Sequence, residues 1–279
     1  MRSKNPTSSD VGVFKFIMFT KHLEGLEIPD IITALQSVGV SGADLCVRPG
    51  YPVNPENATE ALPAAAKQFA AAGLSIPLVT TPGDFLDPGQ EETRRVYAAA
   101  GEAGVENIKL GYWHWHAENG GYWSQVDFIR KQLDGFAKLS AQYGPRTCIH
   151  NHSGTSMGLN SCAVMNLVKD FDAQHVGVFA DTGHLSIVGE PIEMALDIVK
   201  SHLAVMAFKD LARSPGMRGG SVVRMGKGFV DWETAVDTLQ TMEFSGPVSF
   251  HSEYSGEPVD TVIDLARIDV RFISSLMDK

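Results

Sequence analysis

Three short segments of this chain carry residues able to ligate a metal or move a proton. Cys148-Ile-His-Asn-His-Ser-Gly-Thr155 reads as a strand from Arg146 to His152 that ends in a His-x-His pair before a small polar loop. Side chains alternate across a strand, so His150 and His152 share one face, roughly 7 Å apart along it. Two imidazoles converging at a strand end suit a metal or a proton-transfer site, and a pair of hydrogen-bonded surface histidines is the competing reading. Asp181-Thr-Gly-His184 and Phe250-His-Ser-Glu253 add further donors. Asp181, His150 and Glu253 together form a metal candidate, because Mn²⁺, Mg²⁺ or Zn²⁺ accept mixed imidazole and carboxylate ligands. His184, on the loop three residues beyond Asp181, is placed to contact substrate or transfer a proton. Asp181-Thr-Gly alone also fits an N-cap or Asx-turn closing a strand.

Other chemistry-bearing residues are cationic or aromatic. Lys209-Asp210 closes an apolar run, where a lysine can stabilise an oxyanion or simply make a surface ion pair. Lys109 is in a comparable place. Arg48 offers a planar fork of donors to a carboxylate, phosphate or hydroxyl, or bridges to Asp44 on the same face. The loop Tyr112-Trp-His-Trp-His-Ala117 resembles a wall for a sugar ring, with Trp113 as a stacking surface, although loop or subunit packing would use the same residues.

These residues must be held by an orderly scaffold, and the chain supplies one. Its 279 residues suffice for one large α/β domain or two small ones, and 44% hydrophobic with 20% charged residues is ordinary for a globular protein. The net charge of −10 argues against a nucleic-acid partner, which needs a basic footprint. Three cysteines without CxxC spacing argue against a disulfide framework, so a reducing, cytoplasmic setting is expected. Cys46 and Cys148 lie in apolar strand-like runs, where an inert buried thiol is expected. No apolar run approaches the ~20 residues that cross a bilayer, so no membrane partner is expected. Residues 1–12 read as a polar, flexible leader.

From Val13 onward, short apolar runs alternate with helix-length segments. The strands expected are Val13–Phe19, Gly42–Arg48, Ser75–Thr81, Asn107–Tyr112, Arg146–His152, His175–Ala180, Ala204–Asp210 and Pro247–Glu253. Between and after them, helices are expected over Pro29–Val38, Glu56–Ala72, Gly89–Ala103, Gln125–Tyr143, Cys162–Lys169, Pro191–Lys200, Asp231–Met242 and Val259–Leu276. Eight strand–helix pairs without a linker predict a single (β/α)8 TIM barrel over 13–279. An open doubly wound sheet is disfavoured because no Gly-rich phosphate fingerprint follows any strand. In such a barrel the active site lies at the C-terminal strand ends. Those ends carry Lys21, His22, Arg48, Thr80, Thr81, Lys109, His150, His152, Asp181, His184, Lys209, Asp210 and Glu253, all converging on one rim.

Taken together, Asp44-Leu-Cys-Val-Arg48, Ile149-His-Asn-His-Ser-Gly154, Asp181-Thr-Gly-His184, Phe208-Lys-Asp210, Gly226-Lys-Gly228 and Phe250-His-Ser-Glu-Tyr254 resemble the xylose-isomerase-like barrel superfamily of sugar phosphate isomerases and epimerases. The resemblance runs from Val13 to the C-terminus. It implies a divalent metal at the barrel mouth and chemistry beside a carbonyl in sugars or polyols. Carried over, the family's sixth-strand Asp is Asp181 and its eighth-strand Glu is Glu253, while His150 occupies the fifth-strand Glu position. The seventh-strand His falls at Ala207, which cannot ligate. That gap leaves a three-ligand site, one completed by His152 or His184, or none.

The function expected is a sugar or polyol isomerase or epimerase. Glu253 would be the base, and His150 or His184 the acid. Arg48, Lys109, Trp113, His152 and Lys209 would hold substrate. A keto-sugar or inosose-type lyase or dehydratase is the close alternative. A sugar-binding barrel without chemistry and a DNA-repair endonuclease are the others weighed. A homodimer is left open by the resemblance.

Overall fold

A computed structural model describes residues 14–213 and 220–277. Eight parallel strands close into a barrel: β1 (Lys15–Phe19), β2 (Gly42–Cys46), β3 (Ser75–Thr80), β4 (Asn107–Lys109), β5 (Arg146–His150), β6 (Val176–Asp181), β7 (Leu203–Phe208) and, last in the chain, β10 (Pro247–Phe250). Around the ring the order is β1-β10-β7-β6-β5-β4-β3-β2. The helices are α1 (Ile28–Val38), α2 (Ala58–Ala71), α3 (Glu91–Glu102), α4 (Tyr122–Tyr143), α5 (Ser161–Val168), α6 (Thr182–Ile187), α7 (Ile192–Val199), α8 (Trp232–Thr241) and α9 (Val259–Met277). The architecture is the single (β/α)8 barrel expected. The leader expected over 1–12 lies outside the described residues.

The local causes are ordinary. Strands covered on both faces read as apolar runs rather than alternations, and every residue of β2 and β6 is buried. Helix α1 buries Ile28, Ile31, Ile32, Leu35 and Val38 on one side. Gly39 ends it at φ 90°, returning its N–H to the Leu35 carbonyl, a left-handed cap that glycine adopts without a Cβ penalty.

The barrel interior changes character at one level. Ile17, Leu78, Cys148, Phe179, Val205 and Ala207 form a dry plug. Two residues further along their strands stand Thr80, His150, Asp181 and Lys209, all buried and polar. The period of two that keeps one face inward thus lifts ionisable groups onto an apolar floor. Cys46 and Cys148 are buried and free, and burial pushes both thiols up to about 12, so they are inert at neutral pH.

Three differences from the expected elements bear on the site. Strand β5 ends at His150, leaving His152 in the following loop, where its N–H donates to the Gly158 carbonyl. Strand β7 ends at Phe208, after which β8 (Asp210–Ala212) pairs antiparallel with β9 (Ser221–Val223). The Asp181-Thr-Gly-His184 segment opens helix α6 rather than a loop. Among the described residues no helix is long and apolar enough to cross a membrane.

Candidate metal centre and active site

His150 at the end of β5, Asp181 at the end of β6 and His251 just past β10 bring one donor atom each into a single cluster within 4.8 Å. His150 Nε2 lies 3.3 Å from Asp181 Oδ2, and His251 Nδ1 lies 3.9 Å from that same oxygen. All three residues are under 5% exposed, at 3%, 0% and 4%. All three atoms are buried without a hydrogen-bond partner of acceptable geometry. Two of them have a charged neighbour, Lys209 Nζ 3.4 Å from Asp181 Oδ2 and Glu253 Oε1 3.3 Å from His251 Nδ1, but no direct hydrogen bond satisfies any of the three, which is the condition a shared partner would relieve.

The remaining atoms of these side chains are fixed from behind. Tyr112 Oη is 2.9 Å from His150 Nδ1. His251 Nε2 is 3.3 Å from Asp44 Oδ2, and Asp44 also accepts from Thr80 Oγ1 at 2.6 Å and Ser249 Oγ at 3.0 Å. A carboxylate only accepts, so Nε2 of His251 carries the proton and, in the neutral ring, Nδ1 keeps its lone pair. Asp181 divides its oxygens: Oδ1 accepts from the His184 N–H and caps α6, while Oδ2 faces the cluster. The cap and the ligand readings of Asp181 are therefore compatible in geometry.

Glu253, expected as the eighth-strand ligand, is not one of these three; His251 occupies that corner, with Glu253 Oε1 3.3 Å from its Nδ1. Glu253 Oε1 is also 2.6 Å from Lys209 Nζ and Oε2 is 2.8 Å from Lys21 Nζ, so two ammonium groups take both oxygens. The reason is positional. Strand β10 ends at Phe250, so the first inward residue above Ser249 is His251, and Glu253 lies one step further out. Ala207 is fully buried in register with Asp181 and Ser249 and offers no donor. Above it Lys209 sends its ammonium to within 3.4 Å of Asp181 Oδ2 and 3.5 Å of His184 Nε2.

These contacts set the charges. Burial opposes ionisation of Asp181, but Lys209, His184 and His150 outweigh it and hold the carboxyl well below the usual range. Burial likewise opposes ionisation of Glu253, and Lys209, His251 and Lys21 outweigh it. Burial drives His150 well below its ordinary value despite Asp181, and takes His184 down to about 3, so both rings are neutral at pH 7. For His251 burial is outweighed by Asp44 and Glu253, and its pKa is raised. Lys209 is held above its ordinary value by Asp181 and Glu253 in spite of burial, whereas burial and the nearby Arg48 push Lys109 well below.

The other expected residues fall into two groups. Toward the mouth lie His184 and His152, their rings 3.9 Å apart, with His184 Nδ1 hydrogen-bonded to Ser153 Oγ at 3.0 Å. Lys109 Nζ is buried, unpartnered and 3.6 Å from the Tyr112 ring centre. Arg48 donates from Nε to the Thr81 carbonyl rather than to Asp44. A cavity of about 560 Å³ opens beside His152 and His184, lined also by Lys209, Arg213, Glu253 and Ser255. Trp113 belongs to the second group: its ring packs edge-on against Phe136 of α4 and lines a separate cleft with His114 and Phe128. Tyr112, its neighbour, is the aromatic residue that meets the histidines. Asp210 also turns away from the mouth, collecting the N–H groups of Gly226, Gly228 and Val230 and the Trp232 indole.

Two imidazole nitrogens and one carboxylate oxygen are a donor set that divalent transition ions accept. With ligand bonds near 2.0–2.2 Å, donors around one ion stand roughly 3–3.5 Å apart, so the 3.3 Å spacing of His150 and Asp181 fits as it stands and His251, 3.9 Å from Asp181 Oδ2, would move inward. Each imidazole has a hydrogen-bonding partner at its far nitrogen, the arrangement that orients metal-bound histidines. The residues fit a divalent ion. His251, Tyr112 and Asp44 were not singled out for this role by the sequence. Strand parity, which places 249, 251 and 253 on one face, was the signal available for His251.

A family profile described as Xylose isomerase-like TIM barrel matches residues 32–276. An inosose dehydratase of Lactiplantibacillus plantarum is 22% identical over 160 residues, covering 53% of each chain. The chain spans about half the length of the curated relatives it matches. Among solved structures, 3-keto-D-glucoside 4-epimerase of E. coli superposes with a TM-score of 0.73 at 13% identity, covering 94% of this chain and 100% of that one. D-psicose 3-epimerase of Clostridium cellulolyticum, in a structure with D-tagatose, gives 0.74 at 12% identity, covering 94% and 99%. At such identities these likenesses show the shared fold.

Proposed function

The chain belongs to the xylose-isomerase-like TIM barrel family, and on that premise we propose that it is a sugar or polyol isomerase or epimerase acting by metal-assisted proton transfer beside a carbonyl. The observation that carries this reading is the convergence of three buried donor atoms without a direct hydrogen bond, from His150, Asp181 and His251, directly beside the Lys209–Glu253 pair. A divalent ion held by those three residues would polarise a substrate carbonyl as a Lewis acid.

The protein's own groups supply the rest. Glu253 is the base that takes the proton from the carbon next to the carbonyl. Its two ammonium partners keep it ionised but also weaken it. A substrate oxygen that draws the Lys209 ammonium toward itself both stabilises the developing negative charge and releases Glu253 Oε1. Neutral His184 faces Lys209 through Nε2 and is placed to pass a proton at that atom. Lys109, lacking any partner at Nζ, is available to a substrate hydroxyl, and Arg48 and His152 complete the contacts at the mouth. Tyr112, rather than Trp113, is the aromatic wall.

The dehydratase reading is kept because of the likeness to inosose dehydratase. It shares the first step. Glu253 removes the proton, and a hydroxyl on the next carbon then leaves as water with a proton from Lys209 Nζ or His184 Nε2. Incubation of the metal-supplied protein with keto-hexoses and inososes in D₂O separates the outcomes. Deuterium at carbon without loss of water supports isomerisation or epimerisation, and an unsaturated ketone absorbing in the ultraviolet supports dehydration. No exchange with any of them, in the presence of bound ion, overturns both.

A further inference from the structure

We infer that His150, Asp181 and His251 select an imidazole-preferring transition ion, of the Fe²⁺, Co²⁺ and Zn²⁺ kind, over the hard ions Mg²⁺ and Ca²⁺, and that Asp44 is the residue that positions His251 for this task. The inference rests on reading the cluster as a metal centre, but not on the reaction run there.

The donor set is the first argument. Hard ions seek six or more oxygen ligands, Ca²⁺ from carboxylates and carbonyls and Mg²⁺ from one or two carboxylates with waters, and gain little from imidazole nitrogen. This cluster offers one carboxylate oxygen and two imidazole nitrogens, a composition that suits borderline transition ions and leaves positions open. The further oxygen donor nearest to hand is already engaged: Glu253 Oε1 is 2.6 Å from Lys209 and Oε2 is 2.8 Å from Lys21. To bind an ion it would leave two ammonium groups without their partner. Ala207, in register with Asp181, removes the donor that a seventh-strand side chain could supply.

Lys209 is the second argument. Its ammonium lies 3.4 Å from Asp181 Oδ2, the oxygen that faces the cluster. A positive charge there penalises every cation, and an ion held mainly by Coulomb attraction has least with which to offset it. Covalent character in the bond to an imidazole lone pair offsets it better.

Asp44 is the third. It is fully buried and accepts from Thr80, Ser249 and His251, contacts that reach across β1 from β2 to β10. Its charge holds the proton on His251 Nε2 and turns Nδ1 inward. An imidazole free to flip would lose that preference.

The test uses the full-length protein, stripped with a chelator and dialysed. Zn²⁺, Co²⁺ and Mg²⁺ are each titrated by calorimetry, and Co²⁺ is followed by its visible absorption. One Zn²⁺ or Co²⁺ per chain, bound at least about 100-fold more tightly than Mg²⁺, is expected. Asp44→Asn is expected to weaken Zn²⁺ by about 10- to 100-fold and to change the Co²⁺ spectrum, with His251→Ala weakening it at least as much. Glu253→Gln is expected to change Zn²⁺ affinity by less than about threefold, which separates it from a ligand. Mg²⁺ bound as tightly as Zn²⁺, undiminished affinity in His251→Ala, or no bound ion overturns the inference. The wild-type ion series needs no variant, so it decides the matter even where a substitution unfolds the chain. An ion bound without proton exchange in any keto-sugar would remove the proposed reaction and leave this inference standing.

Discussion

Lys209 Nζ and Glu253 Oε1 are held 2.6 Å apart at the barrel mouth, with side chains only 8% and 14% exposed. Water screens such a pair little, and each group fixes the charge of the other. The carboxylate is therefore ionised before substrate arrives, as a base must be. Glu253→Gln keeps the shape and removes the basic oxygen. Its expected effect is a fall in kcat of about 10²–10⁴-fold with a smaller change in KM. Steady-state kinetics and solvent-deuterium exchange check this, and exchange at the wild-type rate would remove Glu253 from the role of base.

Tyr112 Oη lies behind His150 as Asp44 lies behind His251, 2.9 Å from Nδ1. Tyr112→Phe leaves the ring, and the packing against Lys109, but frees His150 to rotate or change tautomer. Zn²⁺ affinity measured by calorimetry is expected to drop by about tenfold, with little change in melting temperature. Equal affinity in the two proteins would mean that packing alone orients His150.

Asp210 carries weight of a different kind. Four donors reach its two oxygens: the N–H groups of Gly226, Gly228 and Val230 and the Trp232 indole. Gly228 has no alternative there, since a Cβ would stand 2.1 Å from Asp210 Oδ1 and 2.4 Å from the Leu211 carbonyl oxygen. Asp210→Ala strands these donors, and the loop after β9 loses its anchor. Removing the acceptor is expected to cost about 2–4 kcal/mol in denaturant unfolding, at about 1–3 kcal/mol per buried orphan and with some donors reaching water. A loss below about 0.5 kcal/mol would show that the loop holds itself by other contacts.

The fates of Asp210 and Trp113 show what can be read from sequence here. Barrel strands buried on both faces stand out as apolar runs between helical periods, so the eight βα units and the ionisable strand ends were legible. Which of two neighbours turns inward was not. Tyr112 and Trp113 are both aromatic in one loop, and only the fold places the first against His150 and the second against Phe136. Asp181 carries an N-cap signal and a ligand signal in the same four residues, and its two oxygens can serve both. His251 was within reach of strand parity. The Asp44–His251 contact was not, because 207 residues separate the partners and only closure of the ring brings them together.

Lys109 presents the sharpest conflict between stability and use. Its ammonium is buried at 1% exposure with no hydrogen-bond partner, over the face of Tyr112 at 3.6 Å. Burying an unpaired polar group costs about 1–3 kcal/mol. A contact with an aromatic face returns about 0.5–2 kcal/mol of that while the group is charged. Lys109→Met fills the same space without the amine and is expected to stabilise the fold by about 1 kcal/mol while lowering turnover. The pH dependence gives the sign. Burial and Arg48 hold the folded-state pKa well below the ordinary lysine value, so between the two values the unfolded chain binds the extra proton. Stability from this group therefore rises with pH and is lowest on the acid side of that window. The advantage of Lys109→Met should be largest near neutral pH and shrink as pH approaches about 10. Melting curves of both proteins from pH 7 to pH 10 measure it. A gap that stays constant, or a less stable methionine variant at pH 7, would mean that Lys109 is charged and satisfied in the folded state, and that its unpaired ammonium is not waiting for a substrate oxygen.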